Sequence, residues 1–265
     1  SDFDELISGF KKDYDYVDIK LKTFDTDEEY KNALETALAS GGKDVPTVFD
    51  STYLDIDKFK KSLDKLDTTY NFIDIDKSNN IMGYYKYFEN TNQAPLSVQY
   101  PLIYKNEKYS TTEAENTESE SDYDLDTVIA SNDFAINPNV ILGKDFSIKS
   151  EKTIDDFYSG VCQYYISDTS DYTEVQTKMA GKYSVKVVKD NRLQPRFTNL
   201  VSVNNHVSED QKKAGEVLVY FLMKEKAQQV LNIKNNDGVP INSEILNEYY
   251  LSTYVELKDI GDLDQ

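Results

Sequence analysis

Residues 94–109 read APLSVQYPLIYKNEKY, and how this stretch is read decides the fold. It is apolar, carries Pro95 and Pro101, and ends in Tyr104-Lys105-Asn106. A buried extended segment has this form, with prolines tolerated at strand ends rather than in a central ladder. One core strand satisfies the pattern. A crossover between two lobes satisfies it as well. Before the stretch, strand and helix signals alternate; after it the chain turns acidic and then resumes a β-rich pattern.

Towards the N-terminus, Phe3, Leu6, Ile7 and Phe10 fall at i, i+3, i+4 and i+7, one face of a helix. Val17, Ile19 and Leu21 alternate with Asp18, Lys20 and Lys22, which predicts a strand. Thr26 and Glu29 fit a capping box, opening a helix that buries Tyr30, Ala33, Leu34, Ala37 and Leu38 and stops at Gly41-Gly42. Val45–Phe49 reads as the next strand. Strand, capped helix, glycine stop and strand together predict a βαβ unit with parallel strands. In open α/β sheets ligands bind beyond the carboxyl ends of strands, so Asp50-Ser51-Thr52-Tyr53 is a candidate binding loop. The plainer reading has Asp50 and Ser51 capping a helix around Ile56, Phe59 and Leu63. The two are not exclusive.

Asp74-x-Asp76-x-Ser78 begins like a calcium loop, but Asn79 stands at the glycine position and Tyr85 at the glutamate position, so a solvated turn is expected. Residues 81–88 read as a short aromatic helix. Ser110–Asp126 carries seven acidic residues and no basic one. Too little apolar surface is available there to offset ordering, so a mobile loop is expected, with a partner-binding tail as the alternative.

Towards the C-terminus, Tyr164–Ile166, Tyr183–Val187 and Leu200–Val203 read as strands, and residues 167–172 as a polar loop. Ser208 and Gln211 form a second capping box before a helix bearing Ala214, Val217, Leu218, Phe221 and Leu222. A further helical turn around Ala227, Val230 and Leu231 leads to a turn at Gly238–Asn242.

Several chemistries lack their residues. His206 is the only histidine and Cys162 the only cysteine, too few for a tetrahedral zinc site or an internal disulfide. His206 precedes a helix cap, so an activated Ser or Cys nucleophile is not expected. No phosphate-cradling glycine loop occurs. The 48 acidic residues supply many carboxylate pairs, and that abundance makes any one pair uninformative about glycosidase chemistry. No catalytic residue, metal or cofactor is expected. A net charge of −19 argues against nucleic acid, because phosphate contact needs Lys and Arg gathered on one face. No apolar run of about 18 residues is present to cross a membrane. The 21 tyrosines, with no tryptophan, are first of all ordinary strand and core residues, and any one of them can also offer a ring for stacking on sugars.

Pro95-Leu96-Ser97, Tyr100-Pro101 and Ile103–Asn106 together resemble the hinge segment of the extracellular solute-binding proteins of ABC importers, the maltose-binding-like group. Phe157-x-x-Gly160 before a strand is similar to another signature of that family. So are Thr198–Ser208, AGEVLVYFLMKEKAQQVLN at 214–232 and DGVPIN at 237–242; residues 9–49 resemble its first βαβ unit. The resemblance implies an α/β chain with the two-lobed periplasmic-binding-protein-like II fold, closing on ligand by hinge motion. It implies an N-terminal lobe of 1–97 plus 203–240 and a hinge crossover at 98–104. A second lobe of 105–198 plus 243–265 follows, shortened between Tyr109 and Phe157.

Carried over by position, ligand contacts fall on Asp50, Ser51, Tyr53, Gln99, Tyr100, Ser170, Asp171 and Tyr172. Hydrogen bonding is expected from Asp50, Gln99, Ser170 and Asp171, and stacking from Tyr53, Tyr100 and Tyr172. The implied partners are a small solute, a carbohydrate favoured, and the membrane subunits of an ABC permease. The implied protein is a non-enzymatic monomer, extracytoplasmic and tethered to the membrane by an anchor outside this sequence. The chain departs from the pattern in starting at the first helix rather than the first strand, and in the short stretch after Tyr254. The alternative is a degenerate binding-protein fold serving as an extracellular sensory or protein-interaction domain.

Overall fold

A computed structural model describes residues 2–66, 92–109, 123–131, 138–147, 151–190, 192–193 and 195–263. The turn expected at 74–79, the helix at 81–88 and residues 110–122 of the acidic stretch lie outside these. Eight strands are described: β1 (Val48–Asp50), β2 (Ala94–Gln99), β3 (Pro101–Asn106), β4 (Val128–Ala130), β5 (Tyr164–Asp168), β6 (Tyr183–Val187), β7 (Arg196–Val203) and β8 (Val239–Pro240). They form two four-stranded sheets, ordered β1-β7-β2-β8 and β4-β5-β3-β6. The opening stretch therefore supplies a strand to each sheet, with Tyr100 alone between β2 and β3. Both strands are buried almost throughout, Lys105 excepted, which is why the segment is apolar with no alternation. The prolines sit at the second position of β2 and the first of β3, near strand ends.

The chain divides into two compact units, one of residues 1–98 with 197–250 and the other of 99–196 with 251–263. The first unit holds the sheet β1-β7-β2-β8. Here β1 pairs antiparallel with β7, Phe49 opposite Ser202. The expected parallel βαβ pair is thus corrected: residues 17–22 form no described strand. Val17 and Ile19 instead pack on a cluster of Leu6, Phe10, Phe221, Ala227 and Val230 from three helical segments. Alternation buries one side of a segment whatever it packs on, so it does not dictate a sheet partner.

The other helix forecasts in this unit follow local chemistry. Thr26 accepts from the Glu29 N–H to open the helix Asp27–Ala39, whose end is turned by Gly41 and Gly42 at φ of 96° and 74°. Ser208 and Gln211 form the reciprocal capping box of Glu209–Leu222. Asp55, not Asp50 or Ser51, caps the short helix Ile56–Phe59. The expected turn at 238–242 contains β8 and then Asn242, which caps Ser243–Ile245.

Beneath β2 a polar network is closed inside the first unit. Gln228 is fully buried; its amide donates to the carbonyls of Leu96 and Leu222 at 3.0 Å and accepts from Asn232 at 2.8 Å and the Ile241 N–H at 3.1 Å. Asn232 accepts from Ser97 at 2.6 Å and donates to the Leu96 carbonyl at 2.9 Å. Buried amides persist in a core only with their partners present, so this network specifies one seating of the helical segment 225–234 against β2.

The second unit is built on β3, flanked by β5 and β6, both antiparallel, with β4 parallel to β5. Its core joins Ile103, Val128, Leu142 and Ile166. The described end of the acidic stretch is ordered: Asp124 accepts from the Asp126 N–H in a 3₁₀ turn, and Tyr123 packs edge-on against Tyr164 at 4.9 Å. A capping box of Thr153 and Asp156 opens Ile154–Ser159, which ends at Gly160 with φ 85°. Residues 167–172, expected as a loop, complete β5 and turn directly into the helix Tyr172–Met179, because Asp168 accepts from the Ser170 N–H and caps the turn.

Candidate functional site

The expected contact residues fall in both units, and each group is built separately. In the first unit the loop after β1 is held by its own polar atoms. Asp50 is exposed, and its carboxylate accepts from the Thr52 N–H at 2.8 Å, an Asx turn that reverses the chain. Its carbonyl accepts from the Tyr30 hydroxyl, which burial pushes well above the usual tyrosine range, with Asp50 adding to the effect. Ser51 is fully buried: its hydroxyl lies 2.7 Å from that of Ser202 and accepts from the Gln93 amide at 3.0 Å. That hydroxyl ties β1 to β7 and does not face solvent. Tyr53 is 67% exposed, so its ring is open.

In the second unit Gln99 and Tyr100 are buried against the turn after β5. Thr169 donates its hydroxyl to the Gln99 amide oxygen and accepts from the Tyr100 N–H at 3.0 Å. The Tyr100 carbonyl accepts from the Thr169 N–H at 3.0 Å. Tyr100 is 1% exposed, which leaves no ring face for stacking. Ser170 is exposed and donates its hydroxyl to Asp168. Asp171 is half-buried and accepts from the hydroxyls of Tyr165, at 2.6 Å, and Ser167. Burial raises the Tyr165 hydroxyl, and the bond to Asp171 raises it further.

Tyr172, expected to stack on a ligand, is a core residue here. It is 2% exposed, its ring packs edge-on against Tyr183 and Tyr254, and its hydroxyl donates to Glu256. With Val175 and Met179 it forms the buried stripe of its helix. Tyr183 donates to the same Glu256 oxygen at 2.7 Å.

Asp168 and Arg196 were not among the expected residues. Arg196 donates through Nε and Nη2 to one carboxylate oxygen of Asp168, at 3.1 and 2.8 Å, while Ser170 bonds the other. The sequence held one signal for this: arginine occurs only at 192 and 196. Among the described residues no group of three or more metal-binding side chains converges.

No protein-family model matches the chain, and no curated protein matches it in sequence. Solved structures do match in fold. Maltose-bound MalE3 of T. maritima is 15% identical over 99% of this chain and 83% of its own, with a TM-score of 0.57. A family 1 extracellular solute-binding protein from Bifidobacterium longum subsp. infantis is 14% identical over 94% of this chain and 83% of its own, with a TM-score of 0.59. UgpB from Mycobacterium tuberculosis, in complex with glycerophosphocholine, is 12% identical over 98% of this chain and 82% of its own, also at 0.59. These neighbours are binding proteins for sugars and other solutes. No helix among the described residues is long and apolar enough to cross a membrane. The chain has the two-lobed α/β fold of the extracellular solute-binding proteins.

Proposed function

We propose that this protein is an extracytoplasmic solute-binding protein that captures a small solute, a carbohydrate favoured, and delivers it to an ABC importer. The observation that carries the reading is the segment 94–106, one continuous stretch that is a strand of both sheets, in a chain matching binding proteins over nearly its whole length. Residues 98–104 act as the hinge, with one lobe built on the compact unit of 1–98 and 197–250 and the other on that of 99–196 and 251–263. Capture proceeds by hinge closure and no covalent step. Asp50, Gln99, Ser170 and Asp171 supply hydrogen bonds and Tyr53 a stacking face, with Ser51, Tyr100 and Tyr172 acting as supports behind them. The protein works as a monomer, tethered to the membrane and partnered by permease subunits.

A thermal-shift screen against sugars, oligosaccharides, amino acids, polyamines and phosphorylated compounds tests this. A solute at a hundred times its dissociation constant adds about 2.7 kcal/mol, a shift of about 5–10 °C for a chain of this size. One responding class supports the reading and names the solute. Silence across the panel favours the second reading, a sensory or protein-interaction domain, for which the burial of Tyr100 and Tyr172 speaks: two of the three expected stacking rings are enclosed.

A further inference from the structure

Of 29 Lys and Arg only two are Arg, and they differ in what holds them. Arg192 is exposed and folds back on Asp190, two residues away. Arg196 engages a carboxylate that is itself buried: Asp168 has a side chain 4% exposed, against 32% for Arg196. One Asp168 oxygen takes both Nε and Nη2 of Arg196, and the other takes the backbone N–H and hydroxyl of Ser170. The carboxylate is thus fully engaged, and it grips the guanidinium along one edge only. A guanidinium carries five N–H donors in a planar fork. Among the described residues no acceptor meets the Nη1 end of that fork, and Arg196 keeps a third of its surface open. Asp168 cannot release the guanidinium cheaply, because a buried carboxylate without its counter-charge is strongly destabilising. The fork is therefore held in one orientation before any ligand arrives, which lowers the ordering cost of binding.

The pair is neutral as a whole. An arginine of this kind keeps its directional donors and loses most of its attraction for an anion, while the net charge of −19 works against an anionic solute. Two adjacent uncharged oxygens satisfy the fork without that penalty. We propose that Arg196, aimed by Asp168, contacts the ligand and recognises a pair of neighbouring neutral oxygens, such as the vicinal hydroxyls of a sugar, in preference to a carboxylate or phosphate. This rests on the solute-binding reading and names the chemistry of one of its donors.

The test compares the full chain with Arg196→Lys, which keeps the charge opposite Asp168 but not the fork, and with Arg196→Gln as a second variant. Melting temperature without ligand and titrations with glucose, maltose, glucuronate and glycerol 3-phosphate are measured for each. The expected result is binding of glucose or maltose by the unaltered protein, weakened about 10-fold or more in a variant whose ligand-free melting is unchanged. Equal sugar affinity in both proteins overturns the role of Arg196 and leaves the solute-binding reading intact. Binding of glucuronate or glycerol 3-phosphate alone overturns the preference for neutral oxygens. No response to any of the four by the unaltered protein counts against the carbohydrate reading and removes this inference with it.

Discussion

Tyr172 separates a ligand platform from a core residue, and the two roles give opposite outcomes for one substitution. At 2% exposure, with its ring against Tyr183 and Tyr254, truncation of Tyr172 to Ala opens a ring-sized void in the second unit. Aromatic-to-alanine changes of this kind cost about 3–5 kcal/mol. Loss of the hydroxyl is the smaller part. Glu256 keeps its bond from Tyr183 at 2.7 Å, so removing one phenol leaves no orphaned carboxylate, and Tyr172→Phe is expected to cost about 1.5 kcal/mol, the low end for a bond to a charged group. At about 2–4 °C per kcal/mol, Tyr172→Ala should lower the melting temperature by about 6–20 °C and Tyr172→Phe by about 3–6 °C. Urea unfolding followed by circular dichroism, with thermal scans in parallel, measures both. A Tyr172→Ala protein as stable as the parent, to within about 1 kcal/mol, would refute the core assignment and return the ring to the surface.

The same cluster responds to alkali. Burial pushes the Tyr183 hydroxyl up to about 12, with Glu256 acting in the same direction, and Tyr172 is raised too. The unfolded chain releases these protons near pH 10 and the folded chain later, so stability is full below pH 10 and falls as pH rises towards 12. Melting temperature measured from pH 8 to 11.5 should drop more steeply in the parent than in Tyr172→Phe/Tyr183→Phe, and parallel curves would exclude the linkage. Gln228→Leu strands the Ile241 N–H and a donor of Asn232, for an expected loss of about 2–6 kcal/mol in urea unfolding; a neutral result would mean that water replaces the amide. Ser208→Ala removes a cap and half of a capping box, and should cost about 0.5–2 kcal/mol with no effect on solute affinity. Tyr53→Ala, at an exposed ring, should change stability by less than about 0.5 kcal/mol while weakening any sugar response in titration; unchanged affinity would remove Tyr53 from the proposed site.

Local chemistry was legible in the sequence because it is written within a few residues. Thr26 and Ser208 cap their helices, Gly41-Gly42 ends one, and 94–106 is buried and extended, as the spacing and residue types predict. The stripe Tyr172, Val175 and Met179 was also present as i, i+3 and i+7, a helical core pattern hidden by the polar residues around it. What the tertiary structure alone decided is pairing. Whether residues 17–22 join a sheet or lie on helices depends on which backbone stands beside them, and alternation is blind to that. Antiparallel β1 and β7 meet across more than 150 positions of sequence, Phe49 to Ser202. Ser51 and Tyr172 turned inward because Ser202 and Glu256 are there to satisfy their hydroxyls, while Thr169 holds the Tyr100 backbone. Arg196 gained its orientation from Asp168, 28 residues before it, since a buried carboxylate needs a counter-charge that composition can supply and only the fold can position.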